Sequence, residues 1–369
     1  LEIFLPTVDS DFAVPDTMRA AVYRGNSTIT VETVPTPKIG PGELLVRVES
    51  CGICHTDLKK VEHNLLPPPR IFGHETAGVI VETGAGVVGY SVGDRVIVFH
   101  HIPCGECFYC RRKLYAQCPT YKKVGVTAGF EPAGGGFSQY VRVLDWIVCR
   151  GVEKFSDGVP FDRACFVEPV NTCLKAVVQL DPQPGETCLI LGQGPIGLLF
   201  TMLVRRTGAR VLATDTIARR RELSLRFGAE QAWDPRTTKI EPLVAGLTEG
   251  RGADLVILAT STRGLVEQAI RCSRPGSKIL LFAQTSHQEH VELSGVDICV
   301  GERTLLGCYS ASVDLQKESA RLVFSGELPV EDLISHRLPL DEISSAIELA
   351  LHPDEESLKI VVRPQRWAQ

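Results

Sequence analysis

The chain has 369 residues, 44% of them hydrophobic and 22% charged, and a net charge of −5. These values fit a soluble globular protein long enough for two domains with full cores. They exclude a nucleic-acid partner, because no basic stripe offers phosphate a footing, and no apolar run is long enough for a membrane span.

Residues 1–17 carry three Asp, one Glu and no Lys or Arg, unlike the positive end of a secretory signal. They read as an N-terminal extension, and a cytoplasmic location is expected. From Met18 to about Val148 the chain reads as short strands. RAAVY, TITVETV, ELLVRVES, AGVIVETG and DRVIVF are β-branched segments broken by Gly, Pro and Asn. Between the third and fourth lie Cys51-Gly52-Ile53-Cys54-His55-Thr56-Asp57 and Gly73-His74-Glu75. Taken alone, a single Cys is ordinary core and a His beside a Glu is ordinary surface.

Cys104, Cys107, Cys110 and Cys118 follow, separated by two, two and seven residues. Four thiols in so short a stretch fit a lobe wrapped around one tetrahedral zinc with no open position, a structural site. Two disulfides or an iron–sulfur cluster are the alternatives. Arg111, Arg112, Lys113, Lys122 and Lys123 crowd the same stretch, and their field favours the thiolate form. Cys149, Cys165, Cys173, Cys188, Cys272, Cys299 and Cys308 read as small core residues. Gly134-Gly135-Gly136 marks a loop.

From about Thr187 the rhythm changes. TCLILG, RVLATD, ADLVILAT, KILLFAQ and TLLGCYS are near-continuous apolar strands, with helical stretches at 195–207, 218–227 and 264–273. That alternation predicts an α/β domain with a doubly wound parallel sheet. Gly192-Gln193-Gly194-Pro195-Ile196-Gly197 follows the first strand and opens a helix, the dinucleotide fingerprint in its required context. Pro195 suits the first helical position, and the helix N-terminus offers N–H groups to a pyrophosphate. The second strand ends at Asp215, placed for a ribose 2′-OH, so NAD is expected in preference to NADP. Arg219, Arg220 and Arg221 follow; they read as a solvated helix face or as partners of a 2′-phosphate. After Tyr309 come a helix over 316–325, a short strand near His336, a helix over 341–351 and a last strand from Lys359, all expected to pack on the β-rich front domain.

Taken together, Cys54, the Gly73-His74-Glu75 block, the cysteine quartet and the glycine motif resemble the zinc-containing medium-chain dehydrogenase/reductase family, over essentially the whole chain from Met18. The resemblance implies a GroES-like catalytic domain over 18–168 and 311–369, and a Rossmann cofactor domain over 169–310. It implies two zinc ions per chain. Cys54 and His74 hold the catalytic zinc, Glu168 binds it directly or through the metal-bound water, Glu75 is able to bind or leave it, and Cys104, Cys107, Cys110 and Cys118 hold the structural one. Asp57 is then the carboxylate that orients the ligating imidazole, and Thr56 receives the hydroxyl proton. His55 and Lys359 are implied at the pyrophosphate. Glu168 stands where liver-type alcohol dehydrogenases place cysteine, as in the polyol branch; Cys165 and Cys173 leave a shifted cysteine ligand open. Lys59 replaces the histidine that relays the proton in many relatives.

The implied reaction is reversible oxidation of a small secondary alcohol, a polyol or sugar alcohol, to a ketone, in a cleft between the domains. Threonine, amino-alcohol and cyclitol dehydrogenases share most of these motifs, and the loop Gly125–Gly136 is expected to shape substrate choice. A catalytically silent nucleotide-binding scaffold is the reading from another class. Relatives pair the edge strand TLLGCYS into homodimers or homotetramers, and an apolar edge favours such pairing.

Overall fold

The computed structural model describes residues 12–99, 102–121, 134–283 and 290–365. Lys122, Lys123, most of the expected pocket loop and residues 1–11 of the extension lie outside the described residues. The chain forms two compact units. One runs to Glu168 and resumes at Gln316; the other is Pro169–Leu315.

The first unit is built on a seven-stranded mixed sheet. Its strands run in the order Ile334–Pro339, Lys359–Arg363, Leu44–Gly52, Glu75–Thr83, Arg95–Val98 and Val152–Lys154, with Tyr140–Val143 also paired to Leu44–Gly52. A second sheet joins Thr28–Pro35, Thr17–Gly25 and Arg70–Ile71. Leu44–Gly52 is the organising strand. Leu44, Leu45, Val46, Val48 and Cys51 are all fully buried, and the part-buried ion pair of Arg47 and Glu49 interrupts one face.

Register places chemistry at the C-terminal end of that strand. Gly52 pairs antiparallel with Glu75 on one side and with Val361 on the other. A Cβ at Gly52 would overlap the Glu75 carboxylate and crowd Lys359 Cε at 2.8 Å, so glycine is required for those side chains to meet there. The chain then turns at Cys54, which caps helix His55–Glu62 in an extended conformation. Sequence patterning did not reveal this helix, because only Leu58 and Val61 supply it with buried apolar side chains.

The second unit is a six-stranded parallel sheet in the order Gln231–Trp233, Arg210–Thr214, Thr187–Leu191, Ala253–Leu258, Ser273–Leu281 and Thr304–Gly307. Numbered along the unit this is 3-2-1-4-5-6, the Rossmann order. Its helices Pro195–Arg205, Ala218–Arg226 and Leu265–Cys272 match the expected positions and end one or two residues earlier at their C-termini. Strand Gln231–Trp233 and helix Ile240–Leu247 escaped sequence patterning, being short and, in the helix, interrupted by Pro242. Strand Thr304–Gly307 ends the sheet, as expected for TLLGCYS. Two of the seven scattered cysteines depart from expectation: Cys149 and Cys299 are exposed, on the short helices Asp145–Gly151 and Gly295–Cys299, where only part of each turn faces the core.

A Cβ at Gly197 would overlap the carbonyl oxygen of Gly192. Gly197→Ala should therefore push the helix off the sheet and destabilise this unit by about 1–3 kcal/mol. Calorimetry reads this as a fall in Tm of several degrees; an unchanged Tm would mean the helix can retreat without cost.

Candidate functional site

Cys54, His74 and Glu75 converge from two adjoining strand ends. Their ligand atoms lie within 4.8 Å of one another, a group able to hold a metal ion. His74 is 5% exposed and follows Gly73, whose φ of +96° leaves room that a Cβ would fill at 2.8 Å from the Phe137 nitrogen. Its Nδ1 lies 3.1 Å from Asp57 Oδ1. With Asp57 ionised, Nδ1 donates and Nε2 is left as the ligating atom. Burial alone would lower the His74 pKa; Asp57 and Cys54 outweigh it and hold His74 well above its ordinary value.

Asp57 occupies the first turn of helix His55–Glu62, where the helix dipole favours an anion. Burial pushes its carboxyl up, but His74 and Lys60 pull it below the usual range, and Lys60 Nζ lies at 3.7 Å. Thr56 and His55, at the start of the helix, are exposed. Partial burial and the charge of Lys59 depress the His55 pKa. Burial likewise lowers Lys59, which is half-buried rather than freely solvated.

Lys359, expected at a pyrophosphate, is 6% exposed, donates to the Ile53 carbonyl at 2.9 Å and pairs with Glu75 Oε2. Burial would lower its pKa, but Glu75 and Cys54 raise it above the ordinary value. Antiparallel pairing of its strand with Leu44–Gly52 brings it to this place, and no motif spacing shows that. Glu168 is buried in the first turn of helix Val167–Leu180, outside the three-residue group. Burial pushes its carboxyl up to about 7, with His74 opposing and Glu75 adding to the shift. Cys165 is not part of the group either; its Sγ donates to the Asp162 carbonyl at 3.1 Å.

The residues fit a divalent cation. Asp57, Glu75 and Glu168 bury three carboxyls beside the Cys54 thiol, against the imidazole of His74 and the ammonium groups of Lys359 and Lys60. What fits the cation is the donor set: a thiol, an imidazole and a carboxylate with ligand atoms within 4.8 Å of one another, the ligand types that zinc takes.

The quartet fits a metal by geometry. Cys107–Cys110, Cys118–Cys104 and Cys104–Cys110 have Sγ separations of 3.5, 3.6 and 3.9 Å, and all thirteen cysteines are free thiols. Tetrahedral bonds of about 2.3 Å require sulfurs about 3.8 Å apart. Burial raises the Cys118 thiol, but Thr120 at 3.2 Å and the Cys104 N–H at 3.4 Å bring it down to about 6. Tyr121 packs with Cys110 and Cys118 as the buried core of this lobe.

In the second unit Gly192 has φ +94° and packs against Thr260, where a Cβ would lie 3.0 Å from the threonine Cβ. Asp215 Oδ2 accepts from the Gln193 N–H at 2.6 Å, and Oδ1 from the Ile217 N–H at 2.8 Å. The acid thus fastens the glycine turn, while each oxygen keeps a lone pair for a further donor. Gly194 precedes helix Pro195–Arg205, with Pro195 and Ile196 in its first turn. Arg219, Arg220 and Arg221 are half-buried rather than a solvated face, and Arg221 donates to the Asp215 carbonyl at 2.8 Å.

Two outcomes follow from these buried charges. Lys359→Met leaves Glu75 buried without its cation and should cost about 3–5 kcal/mol in urea unfolding of the metal-free protein; a loss under 1 kcal/mol would mean the pair is dispensable. A carboxyl raised in the folded state stabilises fully below the ordinary carboxylate pKa and loses that contribution as pH rises through about 7. Metal-free protein should resist urea better at pH 5 than at pH 8, and Glu168→Gln should shrink the difference; an unaltered difference would rule out Glu168 as its source.

Residues 40–151 match the alcohol dehydrogenase GroES-like domain, and residues 195–325 match the zinc-binding dehydrogenase domain. Sorbitol dehydrogenase of Bacillus subtilis is 28% identical over 96% of this chain and 99% of that protein. L-threonine 3-dehydrogenase of Pyrococcus abyssi is 32% identical over 86% of this chain and 90% of that protein. A crystal structure of a putative zinc-binding dehydrogenase from Sinorhizobium meliloti, bound to NADP, superposes with a TM-score of 0.86 at 30% identity, covering 95% of this chain and all of that one. The chain belongs to the zinc-containing, NAD(P)-dependent medium-chain dehydrogenase/reductase family of alcohol dehydrogenases, with a GroES-like domain and a Rossmann domain.

Proposed function

We propose that the chain reversibly oxidises a secondary alcohol, a polyol or sugar alcohol, to a ketone with NAD. The observation that carries this reading is the convergence of Cys54, His74 and Glu75 donor atoms within 4.8 Å, with buried Glu168 in electrostatic contact with His74 and Glu75. Cys54, His74 and Glu168 would hold a zinc ion, which would supply Lewis acidity toward a hydroxyl oxygen, and the Gly192–Gly197 turn would hold NAD, which would supply the hydride acceptor.

The protein's own groups do the rest. Asp57 fixes the His74 tautomer and keeps Nε2 directed to the ligand group. Thr56, exposed at the helix start, takes the hydroxyl proton. Glu75, paired with Lys359, is the carboxylate able to approach or leave the metal ligands. Gly194 and the Pro195 helix receive the pyrophosphate. Asp215 accepts from the ribose hydroxyls and repels a 2′-phosphate, which favours NAD over NADP.

Glu168 supports the polyol branch, as do the relatives named sorbitol dehydrogenase and D-arabinitol dehydrogenase. The 32% identity to L-threonine 3-dehydrogenase supports an amino-alcohol substrate as the second reading. The edge position of strand Thr304–Gly307 supports association of two or four copies.

Zinc-loaded protein assayed with sorbitol, arabinitol, 2,3-butanediol and threonine at fixed NAD should give its highest kcat/KM with a polyol; a preference for threonine would transfer the assignment to the second reading. Cys54→Ser should reduce metal content from about two zinc per chain to about one and abolish turnover, and wild-type kcat in that variant would refute the catalytic metal. Thr56→Val should lower kcat by about 10²–10⁴-fold with NAD affinity unchanged; near-normal kcat would remove Thr56 from proton transfer.

A further inference from the structure

Asp162 lies on the short helix Phe161–Ala164 and is 6% exposed. It is not one of the residues that would hold the metal. Its Oδ1 accepts from Ser50 Oγ at 2.6 Å and from Arg363 Nε at 3.3 Å. Its Oδ2 accepts from Arg337 Nε at 2.7 Å and from Arg363 Nη2. Its backbone carbonyl accepts from Cys165 Sγ at 3.1 Å. Burial would raise this carboxyl, yet Arg363, Ser50 and Arg337 hold it below the ordinary range.

The partners have one property in common. Ser50 is on strand Leu44–Gly52, two residues before Gly52 and four before Cys54. Arg363 ends the strand that Lys359 begins, and Arg337 is on the strand paired with it. Asp162 itself is six residues before Glu168, joined to it by the turn at Cys165 and Phe166. One buried carboxylate therefore ties together the three chain segments that deliver Cys54, Lys359 and Glu168, segments more than a hundred residues apart in sequence. No packed apolar contact can fix direction as four charge-assisted hydrogen bonds do.

We infer that Asp162 is a positioning residue of the metal centre, holding the Glu168 segment in register with the strands that carry Cys54 and Lys359. The inference rests on the metal centre proposed above and adds a residue that never touches metal, substrate or cofactor. Groups bonded directly to metal ligands govern metal affinity by roughly 10–100-fold, which sets the scale for Asp162, bonded to the segments that carry the ligands rather than to the ligands themselves.

The test measures zinc release to a chelator from wild type, Asp162→Asn, Glu168→Gln and the double variant, with NADH binding followed by fluorescence. Asp162→Asn should speed release of the more labile zinc by roughly 10–100-fold, while the quartet zinc and NADH affinity stay as in wild type. The double variant should release that zinc little faster than Glu168→Gln alone, because Asp162 acts through the segment bearing Glu168. Asp162→Glu, which keeps the charge, should recover part of the loss. Ser50→Ala removes a single donor and should give an intermediate rate even if Asp162→Asn fails to fold. Wild-type release rates in both Asp162→Asn and Ser50→Ala, or fully additive effects in the double variant, would overturn the inference. Wild-type protein with one zinc per chain, held only by the quartet, would overturn the metal centre itself, and the inference with it.

Discussion

The ammonium of Lys359 and the carboxylate of Glu75 share a buried space that exists only because residue 52 has no side chain. Neither charge is tolerable alone at 6% and 1% exposure. The pair dictates which strands flank Leu44–Gly52 at its end, and it draws Ile53, Cys54 and His74 into one neighbourhood. Much of the first unit holds this juxtaposition in place: the left-handed backbone at Gly73, the tether at Asp162 and the buried Leu44, Leu45, Val46 and Val48 all fix the same few ångströms.

The two candidate metal groups illustrate different kinds of constraint. The quartet is local: four thiols within one lobe, with Tyr121 among the other buried side chains, where cross-linking by an ion would substitute for an apolar core. The Cys54 group is non-local, assembled from strand ends and helix starts whose positions depend on the whole sheet. A local site tolerates change elsewhere in the fold, whereas the assembled one transmits it. Asp215 belongs to a third kind, in which the residue proposed to meet the ribose also braces its own scaffold through the Gln193 and Ile217 amides.

Motifs with short spacing were readable from the chain alone. The quartet, the glycine turn with Asp215 after it, and the strand rhythm of the second unit all carry their geometry within about thirty residues, and the six-stranded parallel sheet follows from them. Cys54, His74 and Asp57 became readable only through the family resemblance. What escaped was set by pairing across long sequence distances. The pairing of Lys359 with Glu75 is not visible in the chain, because it follows from antiparallel pairing of Val361 and Val362 with residues 52 and 51. Asp162 carries no motif, and its importance appears only when Ser50, Arg337 and Arg363 arrive around it. Helix His55–Glu62 is too short and too polar to announce itself.

The first unit is discontinuous in the chain, interrupted by the whole of Pro169–Leu315. A ribosome therefore releases Glu75 long before it makes the lysine that neutralises it. At roughly 10 residues per second the delay is about half a minute. Near the end of that interval the parallel-sheet unit is completed, at Leu315, while the mixed sheet still lacks the strand bordering Gly52. The first unit therefore cannot close its sheet beside Gly52 until the last strand, Lys359–Arg363, has left the ribosome, and its folding is completed only after nearly the whole chain has been made.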